Sequence, residues 1–324
     1  MTWGRGTFWV TSIAFSLVLL GLVVAQVDWQ SAGVIAERID YRWVGVGLAI
    51  LMVEGFLASS RFQLLVRTPV RYSDCLRVTA WYGLMLIGLP ARLGEVVGVA
   101  LIVRYMNQRT GTAVASLLFQ RLFDVIVLAL ISVVVCLSMF SGARMALVFA
   151  LAMLFIGVLV GLMIFLEELI AAAVHPLLAR RHEKWPRRIL RMALQARTTR
   201  RHHMGRGRTL KLGTYTVLKW IANLTAIGCV VIGIVPVLAP LTAVGIGIVY
   251  NLTAVIPLST IGGFGISEAA LLGTFTWLGY SLAVGAPIAI AIRLVLVSAP
   301  IIFWLAVIIA LPRPPSTAAT GESS

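Results

Sequence analysis

The sequence predicts an all-α polytopic membrane protein with about six full spans and two re-entrant or broken hairpins. Three observations support this fold class. Of the 324 residues, 60% are hydrophobic and only 12% are charged. Apolar runs of about 20 residues, the length of a bilayer-spanning helix, recur along the whole chain. The positive charge is concentrated in one loop, which gives the topology. This composition excludes a soluble enzyme.

The first apolar run, residues 8–27, has the length of a span. It lacks a small-residue cleavage site and is followed by many similar runs, so we interpret it as a transmembrane helix rather than a signal peptide.

The distribution of positive charge predicts which side of the membrane each loop faces. Twelve Lys or Arg lie between residues 180 and 211, against the single acid Glu183. By the positive-inside rule this basic loop, residues 169–212, is cytoplasmic. Residues 61–77, with four arginines, are then also inside. Residues 28–42 fall outside, so a second span connects them to the arginine stretch. Both termini are cytoplasmic, and we expect the protein to lie in the bacterial inner membrane. The later spans are predicted at residues 113–140, 145–166, 212–238 and 281–311.

One region is too short for the crossings that this topology requires, and a second is interrupted by prolines and glycines. Residues 78–103 must leave and regain the inside, whereas two full crossings need about 40 residues. We therefore predict a re-entrant hairpin broken at Gly88-Leu-Pro90. Residues 241–278 form the matching hairpin from the outside, broken at residues 257–265. Non-helical backbone at that depth is tolerated only where it is buried in protein or lines a wet cavity.

The two hairpins share a pattern. Each has a proline, then glycine, then a glutamate that opens an apolar half-helix. Glu95 precedes Arg121 by 26 residues, and Glu268 precedes Arg293 by 25. Because the hairpins enter from opposite sides, the two halves are predicted to be inverted repeats, an arrangement that commonly places a transporter's site near the midplane.

Charged residues at membrane depth are the candidate site residues, because each costs about 2.5 to 3.5 kcal/mol at a helix centre. The substrate-binding candidates are Glu54, Arg92, Glu95, Arg121, Asp124, Glu268 and Arg293. Lys219 lies close to an interface.

Two interpretations of these charges stay open. In the first, Glu95 with Arg121 and Glu268 with Arg293 are structural ion pairs that join each hairpin to the following span. In the second, each acid lies in the first turn of a half-helix, where the N–H groups and the arginines can hold a lipid phosphate while the carboxylate picks up a proton.

The remaining candidates have narrower roles. Arg92 is the best candidate for contacting a phosphate. Asp124 follows Arg121 by one helical turn, so the two can form a local pair. Glu54 is a candidate to line a cavity.

The sequence suggests no cofactor and no metal site. Its three cysteines are far apart, without a C-x-x-C spacing, and its four histidines cluster around the basic loop, where Glu183 is the only acid and no cysteine is present. The basic loop is expected to contact anionic inner-leaflet lipids through an amphipathic helix and not to bind nucleic acid.

The segments "LPARLGEVVGVALIVRY", "LLFQRLFDVIVL", "IPLSTIGGFGISEAALLG" and "AIRLV", in this order, resemble the flippase-like transmembrane family typified by the membrane region of lysylphosphatidylglycerol synthase. The resemblance spans residues 8–311. It implies movement of lipids or lipid-linked head groups between leaflets. We expect one transmembrane domain over residues 1–311, followed by a disordered cytoplasmic tail at 312–324. All the candidates except Glu54 fall on the family's motif positions.

The chain departs from the family pattern at two positions. Gln120 stands where the family usually has glutamate, and Gly98 where it commonly has arginine, which suggests a different head group. Lysyl transfer is not implied, because no soluble transferase domain accompanies these motifs.

The leading functional hypothesis is thus an inner-membrane lipid flippase or transporter whose partner is a membrane lipid. One alternative is a membrane-embedded transferase, although no D-x-x-D or H-x-x-x-D constellation is present. The other is an accessory subunit for isoprenoid, hopanoid or glycolipid biosynthesis. The sequence indicates no oligomeric state.

Overall fold

The computed structural model describes residues 28–66, 70–89, 93–139, 206–253 and 263–311, together with residues 21 and 25. This part of the chain contains nine helices and no strand, which confirms the all-α prediction there. The helices are α1 (Trp29–Glu37), α2 (Tyr41–Leu65), α3 (Tyr72–Gly88), α4 (Leu93–Met106), α5 (Thr110–Met139), α6 (Arg206–Ile234), α7 (Pro240–Thr253), α8 (Ile266–Trp277) and α9 (Leu282–Ala310). The predicted spans at 8–27 and 145–166, most of the basic loop and the tail lie outside the described residues.

Within the described part of the chain, four helices are long and apolar enough to cross a membrane: α2, α5, α6 and α9. The shortest, α2, has 25 residues. At 1.5 Å per residue it extends about 37 Å, more than the roughly 30 Å of a hydrocarbon core. They correspond to four of the six predicted spans.

The two predicted hairpin regions consist of shorter helices. Helices α3 and α4 have 17 and 14 residues, and α7 and α8 have 14 and 12. These helices are about 18 to 26 Å long, which is less than a bilayer core. Helix α3 ends at Gly88, and α8 begins at Ile266 after a turn at residues 263–265. These two positions agree with the breaks predicted at Gly88-Leu-Pro90 and at residues 257–265, the rest of which lies largely outside the described residues. The re-entrant course and the inverted symmetry of the two pairs stay predictions.

Gly94 allows the start of α4 to lie against the last turns of α3. A Cβ atom at this position would lie 2.7 Å from the carbonyl oxygen of Met85 and 2.8 Å from the Cα of Leu86. Because backbone atoms cannot move aside as a flexible side chain does, any larger residue would force the two helices apart. The glycine that precedes Glu95 thus has a packing role.

The described residues form two compact units. Unit 1 comprises residues 28–55, 80–89, 93–97, 221–253 and 263–311. Unit 2 comprises residues 56–66, 70–79, 98–139 and 206–220.

The core of unit 1 brings together side chains of α6, α7, α8 and α9. Ile227, Ile246, Leu271 and Ile292 are buried at its centre. Glycine also allows α2 to approach α6, since a Cβ at Gly47 would lie 2.8 Å from the carbonyl oxygen of Ala226. Close packing at small residues is how membrane helices gain van der Waals contact without a hydrophobic driving force between them.

The core of unit 2 is smaller. Leu65, Phe119 and Leu212 pack together, one from each of α2, α5 and α6. The hydroxyl of Ser116 donates a hydrogen bond to the carbonyl of Leu65 at 3.1 Å. This bond satisfies a carbonyl in the last turn of α2 that has no partner within the helix.

Candidate functional site

Buried charges gather in two places, one in each unit. We call the first the Glu268 cluster: Tyr250, Phe264, Glu268 and Arg293 of unit 1. We call the second the Asp124 cluster: Arg61, Arg121, Asp124, Lys219 and Trp220 of unit 2.

Glu268 caps the start of α8. The backbone reaches this helix through Gly263 at φ 73° and Gly265 at φ 89°, a left-handed conformation that favours glycine. The Gly265 N–H then donates a hydrogen bond of 2.7 Å to Glu268 Oε2. A carboxylate is favoured there by the unpaired N–H groups and by the helix dipole. Gly263, Gly265 and Glu268 together thus allow a helix to begin in the interior of the unit.

Arg293 of α9 pairs with this carboxylate. Its Nε lies 3.3 Å from Glu268 Oε1, and the two side chains are 7% and 1% exposed. Its guanidinium also donates a hydrogen bond to the Tyr250 hydroxyl. No described group donates a hydrogen bond to Glu268 Oε1, so this oxygen is held by charge attraction alone among the described residues.

Two aromatic rings enclose the guanidinium. The Cζ atom of Arg293 lies 5.1 Å from the ring centroid of Phe264 and 5.4 Å from that of Tyr250, distances at which a cation is attracted to a ring. The cluster therefore joins α7, the turn before α8, α8 and α9 around one acid and one base.

The carboxylate of Asp124 lies midway along α5 and is hydrogen-bonded on both oxygens. Arg61 of α2 donates to Oδ1 through Nη1 and to Oδ2 through Nη2, the second bond being 3.1 Å long. The Nε1–H of Trp220 in α6 donates to Oδ1 at 2.8 Å. The Arg61 side chain is only 1% exposed, and bidentate arginine–carboxylate pairs of this kind are strong and directional.

Two further cations belong to the Asp124 cluster. Lys219 Nζ lies 3.8 Å from Asp124 Oδ1 and 4.0 Å from the centroid of the Trp220 ring. Arg121 precedes Asp124 by one turn of α5, so the two side chains share a helix face. The cluster thus combines three cations with one carboxylate.

Comparison with known proteins identifies the family to which the chain belongs. The family model described as lysylphosphatidylglycerol synthase TM region matches residues 9–307. The chain belongs to this family. Neither a curated protein nor a solved structure matches it. As a member of the lysylphosphatidylglycerol synthase TM region family with four long apolar helices, the chain is a membrane-embedded, lipid-related protein.

Membership in this family confirms the resemblance drawn from the motifs, and the structure places most of the motif charges. Glu95 and Glu268 lie in the first turns of α4 and α8, as predicted. The Glu268–Arg293 pair is present. Glu95 is in unit 1 and Arg121 in unit 2, and their pairing stays a prediction.

The other candidates are less informative. Glu54 is half-buried in α2, as Glu95 is in α4. Arg92 lies outside the described residues.

Sequence reasoning did not identify Arg61 or Trp220 as members of the Asp124 cluster, and it placed Lys219 close to an interface. Arg61 was assigned to a cytoplasmic arginine stretch, yet its side chain is the bulkiest of the fully buried ones described. Its position seven residues after Glu54, two turns along the same apolar helix, was the available signal. Lys219 is the only charged residue between positions 212 and 238, which was a signal for an intramembrane partner.

Proposed function

We propose that this protein is an inner-membrane lipid flippase or transporter that moves a phospholipid or a lipid-linked head group between leaflets. The observation that carries the proposal is the Glu268 cluster, in which charged groups meet where a membrane-embedded helix is interrupted. Each such charge costs about 2.5 to 3.5 kcal/mol at a helix centre, so its retention favours a use beyond packing. Family membership supports the lipid class.

In the proposed mechanism, α3 with α4 and α7 with α8 are re-entrant pairs of two inverted repeats. Their inner ends bring the half-helix N-termini of α4 and α8 towards the midplane, where N–H groups and arginines attract a phosphate. A proton taken up by Glu268, at Oε1, neutralises the carboxylate and weakens its hold on Arg293. The freed guanidinium then contacts the lipid phosphate, and release of the proton to water restores the pair.

The proposal extends to the topology and partners. Residues 1–311 form one transmembrane domain with both termini in the cytoplasm. The basic loop at residues 169–212 contacts anionic lipids of the inner leaflet, where each Lys or Arg near the surface contributes about 1 kcal/mol.

An accessory subunit is the second candidate, since the Glu268 cluster also joins four segments of unit 1. In that case the pair stabilises the fold and moves nothing. Neutral replacements that keep the fold would then leave the biological function intact.

Leaflet exchange in liposomes tests the proposal. The full chain is reconstituted with fluorescent anionic, zwitterionic or polyprenyl lipids, and exchange is followed for wild type, Glu268→Gln and Arg293→Ala. Glu37→Gln is the matched control, because Glu37 is exposed at the end of α1.

We expect wild type and Glu37→Gln to exchange at least one lipid class faster than empty liposomes, and Glu268→Gln to be at least tenfold slower. Exchange equal to that of empty liposomes for every lipid would rule out the flippase. Equal rates for wild type and Glu268→Gln would show that the carboxylate is structural.

A further inference from the structure

Arg293 approaches Glu268 from the side rather than with the two Nη groups of its guanidinium. The Nε atom lies 3.3 Å from Glu268 Oε1, but no described group donates a hydrogen bond to that oxygen. The Nη1 atom donates instead to the Tyr250 hydroxyl. The Nη2 atom lies beside Gly263, 3.4 Å from the position that a Cβ atom would take there. Both Nη groups are thus directed to neighbours other than the carboxylate.

The Arg61–Asp124 pair of the other unit has the alternative geometry. Arg61 donates through both Nη atoms, one to each oxygen of Asp124. Such two-bond contacts between arginine and a carboxylate are strong, because both hydrogen bonds are charge-assisted and parallel. Glu268 has no contact of this kind with Arg293, since its Oε1 accepts no hydrogen bond and its Oε2 accepts from the Gly265 N–H. The Glu268–Arg293 pair is therefore the looser of the two.

Tyr250 competes with the carboxylate for the guanidinium of Arg293. A buried N–H group that is left without an acceptor is costly, so Nη1 needs a partner. The Tyr250 hydroxyl supplies it. Without this hydroxyl, the guanidinium would gain by turning Nη1 towards Glu268 Oε1, an acceptor that receives no hydrogen bond from any described group. The pair would then approach the two-bond form.

We propose that Tyr250 is a positioning residue that keeps the Glu268–Arg293 pair in its looser, side-on form. The hydroxyl holds Nη1, so that the guanidinium does not turn both Nη groups towards the carboxylate. A side-on pair separates more readily than a two-bond pair, because fewer charge-assisted hydrogen bonds are broken. That this separation admits a lipid phosphate to Arg293 rests on the proposed function; the geometry of the pair does not.

A simpler role for Tyr250 is to join α7 to α9. Hydrogen bonds between side chains of neighbouring membrane helices contribute to packing. In that role, loss of the hydroxyl lowers stability by the same factor whether or not Glu268 carries its charge. In the positioning role the loss depends on Glu268, because its carboxylate takes the place of the hydroxyl and the neutral amide of glutamine is a weaker acceptor. A double-mutant cycle separates the two roles.

Equilibrium unfolding of the full chain in detergent measures this cycle. The variants are Tyr250→Phe, Glu268→Gln and the double variant. Tyr250→Phe removes only the hydroxyl and keeps the ring that faces Arg293. Asn223→Leu is the matched control, because Asn223 Oδ1 accepts a hydrogen bond of 3.0 Å from Asn251 of α7. The control thus also removes a hydrogen bond between α7 and another helix, but one that does not involve the Glu268 cluster.

We expect Tyr250→Phe to raise the unfolding equilibrium constant less than about threefold in the wild-type background, because Arg293 gains a bond to Glu268. In the Glu268→Gln background the same change should raise it about tenfold or more, since the N–H group loses one acceptor and gains no charged one. Asn223→Leu should raise it by the same factor in both backgrounds. Equal factors for Tyr250→Phe in the two backgrounds would overturn the proposal.

Leaflet exchange in liposomes is a second readout, and it needs only Tyr250→Phe and Asn223→Leu. Tyr250→Phe should slow exchange about threefold or more, because a tighter pair lowers the population of the open form. Asn223→Leu should match wild type. Exchange by Tyr250→Phe that is as fast as exchange by wild type would overturn the proposal too.

The two measurements distinguish failure of this proposal from failure of the flippase. Unequal factors in the cycle, in a protein that exchanges no lipid, support the positioning role of Tyr250 and reject the flippase. Equal factors in a protein that exchanges lipid reject the positioning role and leave the flippase standing.

Discussion

The Glu268 cluster and the Asp124 cluster use the same kinds of side chain, an acid, arginine and an aromatic residue, but they differ in charge balance. The Glu268 cluster has one acid and one base, and two rings enclose the guanidinium. The Asp124 cluster has one acid and three cations, one of which is 14% exposed at Lys219. In both clusters the carboxylate joins helices of its own unit: α8 and α9 at Glu268, and α2, α5 and α6 at Asp124. The difference lies in how many cations surround each carboxylate.

The largest predicted effect is on the Glu268 cluster. Glu268→Gln removes its only acid and leaves the Arg293 charge buried without that carboxylate, so we expect a loss of about 3 to 5 kcal/mol in the free energy of unfolding. Denaturant unfolding in detergent measures it. The double variant Glu268→Gln/Arg293→Gln should lose less stability than the two single variants lose together. If the loss in the double variant equalled the sum of the two single losses, the two groups would not act as a pair.

A smaller effect is predicted for the Asp124 cluster. Arg61→Gln removes two hydrogen bonds from Asp124, but Lys219 and Arg121 still offset the carboxylate charge, so we expect a loss of about 2 kcal/mol. The same unfolding measurement applies, with the exposed Arg109 replaced by Ala as the control. A loss as large as that of Glu268→Gln would remove the distinction between the two clusters.

The smallest effect concerns the helix that begins just before Glu95. Gly94→Ala places a Cβ 2.7 Å from the Met85 carbonyl oxygen, and we expect a loss of about 1 to 2 kcal/mol from the forced separation of α3 and α4. Gly88→Ala is the control, because nothing lies within 4 Å of a Cβ there. Equal stability of the two variants would mean that close backbone approach does not set the position of α4.

The sequence was most informative about features that depend on neighbouring residues alone. The length of the apolar runs predicted α2, α5, α6 and α9, and the prolines and glycines predicted where α3 ends and where α8 begins. The Glu268–Arg293 pair could be predicted because each residue is a lone charge in an apolar segment. Their positions at a helix start and in the following span also suggested a partner.

The Asp124 cluster was harder to predict, because its members come from three helices far apart in the chain. Arg61 lies near the end of α2 and looked like an orientation signal, while Lys219 looked like an interfacial residue. No local sequence pattern predicts that Arg61 and Lys219 both contact Asp124, because these contacts depend on how α2, α5 and α6 pack in unit 2. Asp124 was chosen as a site residue, but its bidentate partner was not.

The most direct test of the account is the head-group dependence of leaflet exchange in liposomes. It compares wild type, Glu268→Gln and the control Glu37→Gln with anionic and zwitterionic fluorescent lipids. We predict that wild type accelerates exchange and prefers the anionic lipid. Glu268→Gln should slow exchange of both lipids at least tenfold, because the Glu268–Arg293 pair is lost, and Glu37→Gln should match wild type. Exchange by wild type that is no faster than in empty liposomes would contradict the account.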